Sequence, residues 1–241
     1  MVIKFPEGEY NYYKDKFWKG VLKKMTTDNI LNNEVELTGI VETELKFNHE
    51  VYGEGFYSFV IRVQRLSDIS DLINVTISER LLTDIQLTKG DKITVNGQFR
   101  SYNNYTTSGN KLMLTVFARD IDLTPDEGKF KNPNNIYLNG FLCKKPVYRT
   151  TPFGREITDL LIAVNRAYNK SDYIPCIAWG RNARYANNLE VGENIKIRGR
   201  IQSRDYQKKI SETETITKTA YEISVSKMET LAKDTLEFEI V

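Results

Sequence analysis

Tyr173 and Trp179 stand six residues apart in the segment YIPCIAWG. Side chains on a strand alternate between its two faces, so that spacing points both rings the same way. Ile174, Cys176 and Ala178 then face the opposite side and can fill a core. Two rings on the non-core face have two readings. They belong to a large core or a subunit interface, or they form a platform for nucleic-acid bases. Stacking on an aromatic contributes about 1–3 kcal/mol per base and accepts any base. In NIKIRGRIQSRDY, Ile195, Ile197, Gly199 and Ile201 alternate with Lys196, Arg198, Arg200, Gln202, Arg204 and Tyr206. A strand here turns a row of cations to its outer side, which suits phosphate contact if it adjoins the aromatic strand.

These residues need a scaffold, and an internal repeat describes it. NEVELTGIV from Asn33 is answered by NIYLNGFL from Asn135, with Gly39 against Gly140. FVIRVQR, ending at Arg65, is answered by LLIAVNR, ending at Arg166, and DLINVTI from Asp71 by DYIPCIA from Asp172, both 101 residues on. LTKGDKITVNGQFRS from Leu87 is answered by LEVGENIKIRGRIQS from Leu189, 102 residues on, and LMLTVFA from Leu112 by YEISVSK from Tyr221. The chain therefore reads as two copies of one domain. Residues 1–32 form an aromatic and basic extension, 33–123 the first copy, 124–133 a linker carrying Pro, Gly and charge, 134–231 the second copy, and 232–241 a short acidic and apolar tail. Each copy reads strand, strand, strand, helix, strand, strand. The helical segments are SERLLTDIQLTKG and GRNARYANNLEVG, with Gly90 and Gly192 as expected stops. The fold class is all-β: tandem five-stranded OB-fold barrels, each with one short helix between strands 3 and 4. That fold binds oligonucleotides on strands 2 and 3 and the adjoining loops.

Charge is uneven between the copies. Residues 134–231 hold 16 Lys/Arg against 10 Asp/Glu, and residues 33–123 hold 9 against 13. One half is suited to a polyanion and the other less so. Fourth-strand outward positions in the first copy are Thr94, Asn96, Gln98, Arg100 and Tyr102, so the core pattern is kept while the surface chemistry changes. The only histidine, His49, lies in an acidic loop, and Cys143 and Cys176 have no metal or redox spacing. No phosphate-cradling glycine motif is present, so neither an enzyme nor a cofactor is expected. No apolar run approaches the length of a membrane helix and the N-terminus lacks a signal-peptide core, which gives a cytoplasmic protein as the expectation.

The second copy resembles the bacterial single-stranded DNA-binding protein (SSB) family. The matching text is NIYLNGFLCKKPVYRTTPFGREITDLLIAVNR, YIPCIAWGRNARYANNLEVGENIKIRGRIQSRDY and YEISVSKMETL. By motif position the resemblance implies base stacking at Tyr168, Tyr173, Trp179 and Tyr206, and backbone contacts at Arg149, Arg166, Arg181 and Arg204; the outward Arg198 and Arg200 join them from the strand pattern. In the first copy the matching positions carry Ser67, Leu72 and Ser78, with Tyr102 or Tyr105 near the fourth. That copy is then a structural partner, or it binds through Tyr52, Phe56, Tyr57, Tyr102 and Tyr105.

The implied function is sequence-nonspecific binding and protection of single-stranded DNA in replication, recombination or repair. Two-domain members of the family form homodimers with four OB-folds, which is the assembly expected here. Family tails recruit replication or repair proteins, and LAKDTLEFEIV would be a reduced version, which suggests a phage, plasmid or secondary cellular protein near the nucleoid. The alternatives are an OB-fold interaction module of a replication or recombination complex whose main partner is protein, and a binder of single-stranded RNA. The segment from Lys14 to Met25, with Phe17 and Trp18, is either a packing arm or an added nucleic-acid contact.

Overall fold

The structure is a computed structural model that describes residues 32–106, 109–123, 132–209 and 215–230. The expected N-terminal extension, most of the linker and the C-terminal tail lie outside these residues. The first six strands are β1 (Asn33–Val41), β2 (Lys46–Val51), β3 (Glu54–Gln64), β4 (Ser70–Ser78), β5 (Lys92–Thr106) and β6 (Gly109–Leu123). The next six repeat them: β7 (Asn134–Leu142), β8 (Val147–Thr150), β9 (Glu156–Arg166), β10 (Lys170–Trp179), β11 (Asn194–Lys209) and β12 (Thr215–Thr230).

Each barrel closes through five strands. β1 pairs antiparallel with both β3 and β5, and β4 pairs in parallel with β6. In the second barrel β7 pairs with both β9 and β11, and β10 with β12 in parallel. Alternation explains why: Val35, Leu37, Ile93, Val95 and Phe99 fill one core, and Ile136, Leu138, Ile195, Ile197 and Ile201 fill the other. Close packing also explains a paired glycine. A Cβ at Gly140 would sit 2.5 Å from the Ala163 carbonyl oxygen where β7 crosses β9, and Gly39 meets Arg62 in the same way.

Four sequence expectations need correction. β2 and β8 are additional short strands that make hairpins with β3 and β9; the turns between them hold no buried apolar anchor that would have marked them. The helical segments are unequal: a single 3₁₀ turn at Glu79–Leu82 in the first barrel, and one α-helix, α1 (Arg181–Ala186), in the second. Gly90 and Gly192 do not stop them. They lie several residues later, with φ of 101° and 91°, in the turns entering β5 and β11. Finally, Val116 pairs with Phe99 while Ile223 pairs with Ile201, so the last strands repeat 107 residues apart, with TAYEISV answering the first-barrel text.

The barrels share a single 12-stranded sheet, because β1 pairs antiparallel with β7 around Val35 and Ile136. Each strand begins with an asparagine that extends the ladder sideways. Asn33 donates to the Phe99 carbonyl at 2.8 Å and accepts from its N–H at 2.9 Å; Asn134 does the same for Ile201 at 2.7 and 2.9 Å. Two reciprocal clamps hold the barrels elsewhere. Ser203 N–H donates to Asp71 at 2.8 Å, while Leu72 N–H donates to Ser203 Oγ at 3.1 Å. Ser101 N–H donates to Asp172 at 2.8 Å, while Tyr173 N–H donates to Ser101 Oγ at 2.7 Å. The β3–β4 hairpin is thus bolted to the other barrel's long β11, and the β9–β10 hairpin to β5.

Candidate nucleic-acid interface

The β9–β10 hairpin carries three of the four expected stacking residues. Tyr173 pairs with Ala163 and Trp179 with Ile157, at opposite ends of β10. At about 3.3 Å per residue they are about 20 Å apart on one face, room for several nucleotides. Tyr173 is 47% exposed and Trp179 half-buried, whereas Ile174, Cys176 and Ala178 are buried, as alternation predicts. Tyr168 stands at the hairpin tip, 93% exposed, and its backbone and that of Asn169 are left-handed at φ 61° and 54°. A non-glycine residue in that region is uncommon, and here it turns the ring away from the protein. Tyr206 belongs to β11, opposite Lys218 on β12; its side chain, like that of Tyr105, lies outside the described residues.

The expected cations fall into three groups. Arg200 and Arg204 are exposed on β11. The row Ile177–Ser224–Arg200 is hydrogen-bonded across β10, β12 and β11, which sets Arg200 about 10 Å from the aromatic strand. Arg204 lies 3.8 Å from Glu222, which also accepts from Gln202 at 2.7 Å. Arg181 is exposed at the start of α1, directly after Trp179 and Gly180. Arg149 and Arg166 are engaged instead by carboxylates. Arg149 forms a fork with Asp159 at 2.7 and 3.2 Å, which raises its pKa, and Arg166 lies 3.3 Å from buried Asp172. Arg198 is not beside the hairpin platform. Its guanidinium lies over the Tyr137 ring at 5.0 Å, in a groove along the β1–β7 junction.

Several residues near the site were not singled out in the sequence. Ser101 of the first barrel holds the Tyr173 backbone, and its only sequence signal is the shared serine of GQFRS and GRIQS. Phe153, 91% exposed, and Tyr148 project from the β8–β9 hairpin; Tyr148 donates to Glu156 at 2.6 Å, a bond that raises its pKa. In the first barrel Tyr52 is fully exposed, but Tyr57 packs on the core and Phe56 is covered by His49, parallel at 4.9 Å, and by Phe117 at 5.8 Å. His49 is accordingly a strand residue and not a loop one. Leu72 and Tyr102 remain partly exposed. Among the described residues no cluster of His, Cys, Asp or Glu could hold a metal ion, and no helix is long and apolar enough to cross a membrane.

Known proteins resemble this chain in sequence and in fold. The family model described as the single-strand binding protein family matches residues 133–231. The chain is 38% identical over 81 residues to single-stranded DNA-binding protein 1 of Staphylococcus aureus, covering 31% of this chain and 48% of that protein. It is 39% identical over 83 residues to the single-stranded DNA-binding protein of Clostridium tetani, covering 32% and 57%. The chain thus spans about half the length of the curated relatives it matches. Across both barrels, the wild-type single-stranded DNA binding protein of Thermus aquaticus superposes with a TM-score of 0.68 at 20% identity, covering 83% of this chain and 93% of that one. The second barrel, residues 133–231, thus matches the single-strand binding protein family, and the two-barrel fold is the one seen in the Thermus aquaticus protein.

Proposed function

We propose that the chain binds single-stranded DNA without sequence preference and protects it during replication, recombination or repair, chiefly through its second barrel. The observation that carries this reading is the shared outward face of β10, with Tyr173 exposed and Trp179 half-buried six residues apart in the family-matched barrel. Bases stack on Tyr168, Tyr173, Trp179 and Tyr206, while Arg181, Arg198, Arg200 and Arg204 contact phosphates. Arg149 and Arg166 join them by sharing their guanidinium donors between Asp159 or Asp172 and the strand. Residues 33–123 and 134–231 act as the two domains. Two chains pair to give four barrels, and the acidic tail recruits replication or repair proteins in the cytoplasm, where the DNA is.

Only Trp18 and Trp179 contribute tryptophan fluorescence. A Trp18→Phe chain titrated with oligo(dT) is expected to show strong quenching that salt reverses. No quenching in the folded protein would favour the protein-interaction module. Quenching confined to the unmodified chain would move the contact to the segment around Trp18. Sedimentation of the chain at micromolar concentration, giving twice the 27.9 kDa mass, checks the dimer.

A further inference from the structure

The two seams between the barrels are chemically unequal. At one, Arg65 places two nitrogens on Asp71, at 2.6 and 2.8 Å. On the neighbouring β11, Gln202 donates to Glu222. Arg65, Asp71 and Glu222 at this seam each have a partner. At the other, the 102-residue repeat puts Arg100 where the first seam has Gln202. Arg100 makes no ion pair with a carboxylate among the described residues. Its guanidinium lies 3.8 Å over Phe117, Nη2 donates to Gln98 at 3.1 Å, and Nε is buried without a hydrogen-bond partner. Arg166 makes a single longer contact with Asp172, whose Oδ1 is already taken by the Ser101 N–H. Two guanidiniums therefore share the field of one carboxylate. Burial, then the Arg166 charge, push Arg100 down to about 10.

An uncompensated guanidinium in a half-buried setting costs stability unless an anion meets it. Guanidinium forks match phosphate geometry well. The location is specific: Ser101, next in sequence, accepts the Tyr173 N–H, and the partly exposed Tyr102 follows. The surplus charge thus lies beside one end of the aromatic platform, on the first barrel's side.

We propose that Arg100 and Arg166 form a phosphodiester site at this seam, so that a strand stacked on Tyr173 continues onto the first barrel. This rests on the reading of the second barrel as a single-stranded DNA platform. The first barrel then supplies charge where it has lost the stacking rings, and the strand crosses one seam and not the other.

The test uses the full chain, labelled oligo(dT) of about 32 nucleotides, longer than one OB-fold accommodates, and anisotropy across a salt series. Arg100→Gln, which copies residue 202, is expected to weaken binding about five-fold at low salt and to reduce the salt slope by about 0.7, the loss of one phosphate contact on a single strand. Arg100→Met keeps the packing on Phe117 and carries the test if the glutamine variant does not fold; the same loss is expected, with a higher melting temperature. Arg100→Lys should retain the slope. Arg62→Gln, an exposed cation paired with Glu42 on the same barrel, serves as the control for general charge loss and should leave the slope unchanged. Unchanged affinity and slope in the neutral variants, with the unmodified chain binding, would overturn the seam site and leave the second-barrel reading standing. Equal weakening in all three Arg100 variants at constant slope would make Arg100 a packing residue and also overturn it. Failure of the unmodified chain to bind would overturn both readings.

Discussion

Tyr168, a stacking residue in the proposed function, is held in a backbone conformation that costs the fold. Its left-handed backbone costs about 1–2 kcal/mol for an L-residue. Tyr168→Gly should therefore stabilise the chain by about 1 kcal/mol in urea denaturation, while weakening oligo(dT) binding by about 1–3 kcal/mol. A loss of stability would mean that the ring packs on the protein. Trp179→Ala should cost a similar binding energy with the fold intact, and unchanged affinity would remove Trp179 from the platform. Cys176 is fully buried and its thiol pKa is pushed up, by burial first. Iodoacetamide at neutral pH should leave it unmodified in the native chain and label it only on unfolding. At this scale the sequence was informative about direction. The period of two placed Tyr173 and Trp179 outside and Ile174, Cys176 and Ala178 inside. It was silent about partners: Asp159 and Asp172 reach Arg149 and Arg166 only because strand register brings them together.

Among the elements, the hairpin clamps carry the largest single energies. Asp71 is fully buried between Arg65 and the Ser203 N–H. Asp71→Ala strips the carboxylate from both, and removing one partner of a buried pair typically costs about 3–5 kcal/mol. Denaturant midpoints should fall accordingly; a change below about 1 kcal/mol would show that water replaces the carboxylate. Ser101→Ala removes the acceptor for the Tyr173 N–H but leaves the Ser101 N–H bond to Asp172. Oligo(dT) binding should fall with little change in salt slope, since ring position is altered and charge is not. The five barrel strands and their order were legible from apolar alternation and the repeat. The β2 and β8 hairpins were not, because β2 and β8 are exposed along their whole length and no core residue marks them. The glycine misreading has the same origin: Gly90 and Gly192 follow the last apolar residue of a helical pattern, yet the chain leaves the helix at Thr83 and Asn187.

For the molecule as a whole, the repeat and its charge asymmetry were readable, while the seam was not. No local pattern says that a serine of one barrel caps the aspartate of the other 71 or 132 residues away. The β1–β7 ladder has a further consequence. Two separate barrels joined by such a ladder would come apart on dilution, whereas here both strands belong to one chain. Covalent connection sets their effective concentration, which is in the millimolar range for short connections. The spatial relation of Tyr173 to Ser101 and Arg100 is therefore the same at nanomolar as at micromolar protein. In the proposed function, a single strand would meet a finished two-barrel surface even when few copies of the protein are present.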